Sequence, residues 1–356
     1  TCNVDFSKKI DDFNIAFGGE WRFEQDQIRT GEVASYKNYC LVSGAAGGAQ
    51  SFIGLSNDNA LMKTRNSEAV YADVSYDLNK FNVDAAARFE NYSDFGSALT
   101  GKLALRYELF KNFSLRGAVG TGFRAPSLQQ QYFNNSYSDI STSGSGIVNK
   151  GIFTNDSAVA QEIGFDKLKE EKSVNASAGF TFKPVDKLFI TLDGYFIKVK
   201  DRIVITSQFS DPSFAAYGVE SARFFANAVD TETKGVDLVV SYDWALGGGN
   251  LNINLAGNYT ETKITKFNFP EKVLASHSQD EFFGPDQINI IESLSPKTKA
   301  SLGLNYKINK FNFLVRNTYF GEVTRDGFPY GSVQKFSPKV VTDLSVGYDI
   351  TKKLNF

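Results

Sequence analysis

The chain has 356 residues, of which 42% are hydrophobic and 22% charged, and this composition excludes both a disordered segment and a bundle of membrane-spanning helices. The 38 Lys and Arg balance 40 Asp and Glu, which argues against a nucleic-acid partner. A single histidine, His277, and two cysteines exclude most multi-ligand metal sites, so we expect no metal and no cofactor. The chain is instead rich in Phe (32), Tyr (16) and Gly (30) and poor in Pro (8), a composition typical of long β-strands.

Apolar and polar residues alternate strictly along much of the chain. Residues 102–109 place three leucines and Tyr107 on one face and the charged Lys102, Arg106 and Glu108 on the other. The same alternation holds in three further segments: 250–259, 301–308 and 340–350. A period of two sends successive side chains to opposite faces of a sheet, so these segments are predicted to be strands.

About twelve full strands are predicted, near residues 13–31, 66–78, 80–95, 98–110, 112–125, 171–183, 187–205, 224–245, 250–267, 296–309, 311–324 and 339–350. Short turns are predicted at Asn79, 111–112, 184–186, 247–249, 309–310 and 352–353. Long segments alternate with these turns, with one brief exception near residues 92–96. Tight turns at one end and long loops at the other are typical of a transmembrane antiparallel β-barrel.

In such a barrel the apolar series faces lipid and the charged series faces the lumen. The expected lumenal residues are Asp73, Asp77, Asp84, Arg88, Arg106, Glu108, Arg116, Asp237, Asp243 and Asp343. Four aromatics close to the short turns are expected to form an interfacial girdle: Tyr76, Tyr107, Trp244 and Tyr348. The alternative is a soluble barrel or sandwich, which would need a second core to cover an apolar stripe on every strand.

Five ordered motifs resemble those of TonB-dependent outer-membrane receptors. Residues 117–133, Gly-Ala-Val-Gly-Thr-Gly-Phe-Arg-Ala-Pro-Ser-Leu-Gln-Gln-Gln-Tyr-Phe, resemble the "GxGFRAPS" strand end of that family. The other similar segments are 87–96 (ARFENYSDFG), 168–173 (LKEEKS), 227–237 (NAVDTETKGVD) and 341–345 (VTDLS). Glu170 stands where the family usually has Pro. Within the first motif, Phe123, Arg124, Ala125 and Pro126 are expected to be structural, with Pro126 ending the strand and Arg124 pairing with a loop carboxylate.

The resemblance implies a 22-stranded barrel around an N-terminal plug domain. We therefore expect residues 1–356 to be a partial barrel domain that lacks the plug, the TonB-contacting segment and the final strands. Residues 1–9 are predicted to be the tail of one strand before a turn at 10–12, and 350–356 to be a turn and the start of another. The alternative for Phe356, a terminal aromatic insertion signal, is disfavoured because the preceding residues do not alternate.

The same resemblance implies a non-enzymatic receptor in the outer membrane of a Gram-negative bacterium. Its expected ligand is a ferric siderophore-like chelate, imported with energy from TonB and the inner-membrane complex that energises it. The other expected partners are the plug domain and the lipid bilayer. Exposed loop aromatics are the ligand-contact candidates, with ordinary loop packing as the alternative for each of them: Tyr132, Phe133, Tyr137, Phe224, Phe225, Phe282 and Phe283.

Other ligands and other classes of barrel stay open at this point. Cobalamin, a glycan or a peptide would suit the same kind of receptor. Haem is less favoured because the loop after Pro126 has neither an "NP(D/N)L" box nor a histidine, although His277 could be an axial ligand. A passive porin would share the alternation but not the ordered motifs, and a barrel hydrolase would need a Ser beside a His base.

The two cysteines, Cys2 and Cys40, flank one predicted hairpin in a chain expected to face an oxidising compartment, where a disulfide is permitted. A bridge requires the loop that carries Cys40 to fold back onto the strand that carries Cys2. The pairing is therefore an open prediction.

Overall fold

The computed structural model describes residues 1–37, 39, 48, 53–140, 147–217, 219–326, 332–351 and 354–355. Antiparallel strands make up most of this part of the chain. The long strands are β1 (Cys2–Ile10), β2 (Phe13–Ile28), β3 (Leu61–Leu78), β4 (Phe81–Tyr92), β5 (Gly96–Phe110), β6 (Phe113–Arg124), β9 (Glu171–Val185), β10 (Leu188–Ile205), β11 (Ser221–Leu246), β12 (Gly249–Phe267), β13 (Thr298–Ile308), β14 (Phe311–Phe320) and β17 (Lys339–Thr351).

Shorter elements lie between the long strands. The short strands are β7 (Asn135–Ile140), β8 (Ile147–Phe153), β15 (Val323–Arg325), β16 (Gln334–Phe336) and β18 (Leu354–Asn355). The α-helices are α1 (Leu128–Tyr132), α2 (Ala158–Glu162), α3 (Glu271–Ser276), α4 (Gln279–Phe282) and α5 (Pro285–Glu292), and single 3-10 turns lie at Val33–Ser35, Asn57–Asn59 and Pro212–Tyr217. No helix in the described part of the chain has the length and apolarity to cross a membrane.

The long strands pair in chain order from β1 to β6, then β9 to β14, β17 and β18, within one 16-stranded sheet. The hairpin β7–β8 joins this sheet through a parallel pairing of β8 with β11, and β15–β16 is a separate hairpin. Within the described ranges β1 and β18 do not pair with each other, so the sheet is open. The fold is the all-β antiparallel sheet that the alternation predicts, and all twelve predicted strands are confirmed.

The turn expected at 184–186 is one to two residues too early. Strand β9 continues through Val185, and the turn consists of Asp186 and Lys187. The β9–β10 register shifts between Val185 and Phe182, which leaves Pro184 outside the paired positions. Because proline has no N–H to donate, a bulge near the strand end accommodates it without a lost hydrogen bond.

The other short turns within the described ranges join consecutive strands as expected, and the turn predicted at 352–353 lies outside the described residues. Asp11, Asn79 and Asn309 adopt φ values of 50°, 49° and 51° at the start of three of these turns. Asp and Asn tolerate this left-handed conformation better than most side chains because their short polar groups bond locally. Gly247 and Gly248 supply the same conformation between β11 and β12, with φ values of 56° and 81°.

The strand register places the ten expected lumenal residues on one face of the sheet. On this charged face, Arg88 contacts Glu20 at 3.1 Å and Lys102 contacts Asp84 at 2.9 Å. Arg116 also reaches Asp193, its Nε donating to Oδ1 at 2.8 Å. The contact of Lys102 with Asp84 joins adjacent strands, whereas each of the other two contacts reaches across one intervening strand. Ion pairs therefore connect several strands across the charged face.

On the opposite, apolar face, large apolar side chains are exposed on strands from β2 to β17. Its residues include Phe17, Val74, Leu105, Leu302 and Leu344, the last of these 74% exposed. Exposing so large an apolar surface to water would be unfavourable. The face matches the apolar band that a lipid-facing barrel requires.

The expected girdle lies on the apolar face next to the short turns, and most of it consists of cross-strand aromatic pairs. The ring centroids of Phe13 and Tyr76 are 4.2 Å apart, and those of Phe81 and Tyr107 are 4.3 Å apart. The Tyr348 ring packs on Phe311 at 4.9 Å but is tilted, whereas Trp244 is 47% exposed and has no aromatic partner among the described residues.

We expect Leu302→Arg to lower the free energy of unfolding from bilayers by about 2–4 kcal/mol, because an arginine on the lipid face is costly near the midplane. Ser301→Arg is the matched control, since its side chain lies at the same depth on the charged face. Urea-dependent folding of the protein into vesicles measures both changes. A larger loss of unfolding free energy for Ser301→Arg than for Leu302→Arg would show that the two faces are assigned the wrong way round.

Candidate functional site

Four long connections lie at the same end of the strands: 29–60, 125–170, 206–220 and 268–297. We call this end of the strands the loop edge. The brief turn at 93–95 lies at this edge too, because each consecutive pair of long strands is antiparallel. Four of the five receptor-like motifs meet at the same edge, and the fifth, 341–345, lies on β17, which pairs with β14.

Arg65 on β3 is the centre of the first set of contacts. Its side chain is 7% exposed and donates to Glu24 Oε2 at 2.6 and 2.8 Å, to the Pro126 carbonyl at 2.7 Å and to Asp94 Oδ2 at 3.4 Å. The guanidinium also lies over the Tyr92 ring at 5.3 Å. One buried arginine thus joins two strands, the 93–95 turn and the end of β6.

The segment Phe123–Ser127 ends β6 and begins α1. Arg124 pairs with Glu171, its Nε donating at 3.0 Å, and Glu171 also accepts the backbone N–H of Ile203 at 2.7 Å. Pro126 is fully buried, and Ser127 forms a capping box with Gln130 at the start of α1. The carboxylate that pairs with Arg124 is the first residue of β9 rather than a loop residue. The structural role expected of Phe123, Arg124, Ala125 and Pro126 stays a prediction.

Asn227 on β11 connects two more of the motifs. Its side-chain amide donates to the Lys169 carbonyl at 2.9 Å and to the Asp201 carbonyl at 2.6 Å, and its Oδ1 accepts the Lys169 N–H at 3.0 Å. Asp201 has a φ of 55°, and its N–H donates to Asp230 at 2.9 Å. Side chains therefore replace ladder hydrogen bonds where the β10–β11 register shifts.

We name these side chains the clamp: Glu24, Arg65, Asp94, Arg124, Glu171 and Asn227. The motifs are visible in the sequence, but the contacts that connect four of them are not. The sequence feature that could have predicted these contacts is that each motif carries a charged or amide side chain at a strand end.

The loop edge has a hydrophobic core of its own, here called the loop core. It contains three of the aromatics expected to contact ligand: Phe224, Phe282 and Phe283, all fully buried. Phe165 stacks on Phe224 at 4.8 Å and on Phe282 at 5.4 Å. The exposure expected of these three side chains is therefore wrong, because they are the packing that holds the long loops together.

The remaining candidates lie outside the loop core. Tyr132 and Phe133 are half-buried at the end of α1, with Lys63 Nζ 4.7 Å from the centre of the Tyr132 ring. Burial, and then the negative charges of Asp94 and Asp156, raise the pKa of Tyr132. Phe225 is half-buried on β11. The backbone of Tyr137 pairs with Lys150 in the β7–β8 hairpin, and its side chain lies outside the described set.

His277 is packed between two acidic side chains rather than solvated. Its Nε2 lies 3.1 Å from Asp211 Oδ2, its Nδ1 lies 3.4 Å from Glu281, and the ring meets Phe209 edge-on at 5.2 Å. Burial raises the pKa of Asp211, but two hydrogen bonds from Ser213 and the contact with His277 outweigh burial and hold that pKa below its usual value.

A cavity of about 480 Å³ lies between the ends of β6, β9 and β10 and helix α5. Arg124, Arg202 and Glu171 line its polar part, and Phe283, Ile290 and Ile291 contribute to its apolar part. Arg202 stands at the β10–β11 register shift and has no ion pair among the described residues. Two guanidinium groups beside one carboxylate suit an anionic ligand. Arg202 was not predicted from the sequence because no motif contains it.

Cys2 is exposed on β1, opposite Trp21, and forms no disulfide with any described residue. Cys40 lies outside the described residues. Their disulfide therefore stays a prediction. Within the described ranges no three His, Cys, Asp or Glu side chains are grouped as a metal site would require.

Comparison with known proteins assigns the family. The model of the TonB dependent receptor-like β-barrel family matches residues 3–356. The chain therefore belongs to the TonB-dependent receptor β-barrel family.

Solved structures of the same fold include siderophore receptors. A mutant of the ferric enterobactin receptor PfeA from Pseudomonas aeruginosa matches with a TM-score of 0.65 and 15% identity, over 98% of this chain and 46% of that one. The siderophore receptor PirA from Acinetobacter baumannii matches with a TM-score of 0.64 and 15% identity, over 98% and 48%. At these identities the likeness shows the fold alone, and the chain spans about half the length of each receptor.

A curated relative is the vitamin B12 transporter BtuB of Vibrio cholerae, which is 32% identical over 68 residues. That match covers 19% of this chain and 11% of BtuB.

We expect Arg65→Ala to lower the free energy of unfolding by about 3 kcal/mol, because removing one partner leaves buried acidic and carbonyl oxygens unpaired. Arg22→Ala is the control: Arg22 pairs with Glu20 at 2.7 Å but is 40% exposed, so its loss should cost under about 1 kcal/mol. Denaturant unfolding of the full-length receptor measures both. Equal losses would show that Arg65 does not hold the clamp together.

The low pKa of Asp211 predicts an acid-sensitive loop core. The ionised carboxylate stabilises the fold above the pKa of an unfolded aspartate, about 3.9, and this contribution disappears as the pH falls through the lower folded-state pKa. We therefore expect Asp211→Asn to weaken amide protection in 209–217 by about 1 kcal/mol at pH 7, with the difference vanishing at strongly acidic pH. Amide hydrogen exchange at each pH, corrected for the intrinsic exchange rates at that pH, measures this difference in protection.

Glu281→Gln is the matched control for Asp211→Asn, because Glu281 is 60% exposed and its contact with His277 is longer. A loss of protection that is the same at every pH, or as large in Glu281→Gln, would contradict the assignment to Asp211.

Proposed function

We propose that this chain is the barrel of an outer-membrane receptor in a Gram-negative bacterium that imports a scarce nutrient complex with energy delivered by TonB. Family membership supports this class of function. In this proposal the short turns face the periplasm and the loop edge faces the outside. The plug domain contacts the charged face from within the lumen, and TonB acts through the plug.

The ligand we propose is a ferric siderophore-like chelate, and the cavity beside α5 is the observation that carries this choice. Arg124 and Arg202 present two cationic groups against Glu171, while Ile290, which is 50% exposed, offers apolar surface. An amphipathic, anionic chelate needs both kinds of contact. Tyr132 and Phe133 are further contact candidates at the loop edge, and Tyr137 is a third whose role rests on the sequence.

Cobalamin is the second candidate, because a 68-residue segment resembles a vitamin B12 transporter. The cavity favours it less, since cobalamin offers less negative charge to two arginines. Haem is disfavoured because Asp211 and Glu281 already face both ring nitrogens of His277.

Uptake by cells tests the proposal. Iron-starved cells that express the full-length receptor should accumulate radiolabelled ferric enterobactin or another ferric chelate in a TonB-dependent manner. Saturable uptake of cyanocobalamin alone would favour the second candidate. Uptake that persists without TonB would show a passive porin instead.

We expect Arg202→Gln to weaken binding of an anionic ferric chelate by about 10-fold, which is about 1.4 kcal/mol for one charge-assisted hydrogen bond. Lys198→Gln, four residues earlier on β10 and on the apolar face, should leave affinity unchanged. Fluorescence titration of the purified receptor measures both. An equal loss of affinity in the two variants would show that the ligand does not bind in the cavity.

A further inference from the structure

A row of charged side chains crosses the apolar face of β9–β13 near the loop edge. Lys172 lies opposite Lys200, Glu232 lies between Lys198 and Lys263, and Lys234 lies opposite Glu261. The members of this set, which we name the lysine belt, are Lys172, Lys198, Lys200, Lys234, Lys263 and Lys297, with Glu170, Glu232 and Glu261 among them.

Register shows that the members of the lysine belt that lie on strands face away from the charged face. Lys297 precedes β13 and joins the belt through its ion pair with Glu261. Alternate residues of one strand share a face, so Lys234 is in line with the outward Val236 and Lys198 with Phe196. Lys234 Nζ lies 5.5 Å from the centre of the Phe196 ring. The belt therefore begins where the apolar band ends, at the depth of lipid headgroups if the barrel spans a bilayer.

Lysines outnumber glutamates two to one in the belt, so it stays cationic after its internal ion pairs are counted. Lys198 pairs with Glu232 at 3.1 Å and Lys297 with Glu261 at 2.7 Å. Lys200 is exposed and has no ion pair in the described part of the chain. Like charges directly opposite each other, as in Lys172 and Lys200, are unfavourable without an anion between them.

A groove of about 420 Å³ opens between β5, β6, β9 and β10 at one end of the belt. Its apolar surface includes Leu99, Phe123 and Val174, and its cationic rim consists of Lys172, Lys198 and Lys200, with Glu170 paired to Lys172 at 3.1 Å. Leu99 is 73% exposed. Apolar surface below a cationic rim matches an acyl chain below a phosphate group, whereas a free anion would leave the apolar surface uncovered.

We propose that the lysine belt and its groove bind a phosphate-bearing lipid of the surrounding leaflet, with the headgroup among the lysines and an acyl chain against Leu99 and Val174. The proposal rests on the membrane placement of the barrel and is independent of the imported ligand. It adds a lipid site on the outer surface to the nutrient site proposed at the loop edge.

The test uses the full-length receptor in phosphatidylcholine nanodiscs that contain a trace of spin-labelled phosphatidic acid. Electron spin resonance gives the preference for phosphatidic acid over phosphatidylcholine at the protein surface. Replacing Lys172, Lys198 and Lys200 together by Gln should reduce that preference at least fivefold, since each lysine near an anionic surface contributes roughly that factor. Arginine at the same three positions should retain it.

The matched control replaces three lysines of the charged face by Gln: Lys299, Lys307 and Lys339. This variant loses the same charge and should keep the wild-type preference. An equal fall in both glutamine variants, or no preference in the wild type, would overturn the proposal. Saturable binding of inorganic phosphate without any lipid preference would overturn it too.

Discussion

The ladder of backbone hydrogen bonds is the constraint on which the rest of the structure depends. Every long strand from β2 to β14 pairs with a neighbour on each side. A lipid environment demands this pairing, because an unpaired N–H or C=O finds no water there. Once the ladder is made, the period of two leaves each strand with one apolar and one charged face. Asp193 and Arg116 then meet across a gap of 77 residues in sequence.

Where the ladder ends, other groups must take over its hydrogen bonds. Glu171 accepts the Ile203 N–H, and Asn227 accepts and donates at Lys169, so side chains continue the pairing for a further residue or two. Above this level the loops bury their own phenylalanines, Phe224 and Phe282 among them. The clamp thus lies between two regions. On one side, backbone hydrogen bonds hold the sheet together, and on the other side, side-chain contacts hold the long loops together. Such an assembly is free to differ between receptors of one fold, which is how one barrel serves several ligands.

Period-two alternation made the strands, their faces and most of the turns predictable from sequence, because burial and pairing act on neighbouring residues. The bulge at Pro184 shifted one turn, since register depends on the neighbouring strand as well. The loop edge was less predictable. Phe282 and Phe283 were expected to be exposed, yet Phe282 stacks on Phe165, more than 100 residues earlier, and Phe283 lies in the same buried cluster. Contacts of this kind have no local signal, and neither does the meeting of Arg65 with Pro126.

The alternation of environment along β13 is the most direct test of the membrane-barrel account. Single spin labels at successive positions from 298 to 308 in the full-length receptor in bilayers would report their collision rates with oxygen, which concentrates in lipid, and with a polar nickel chelate. The account predicts oxygen maxima at Leu302 and Leu304 and minima at Ser301, Gly303 and Asn305, with the nickel profile reduced at the two leucines. Oxygen maxima at the odd-numbered positions, or no period of two, would contradict it.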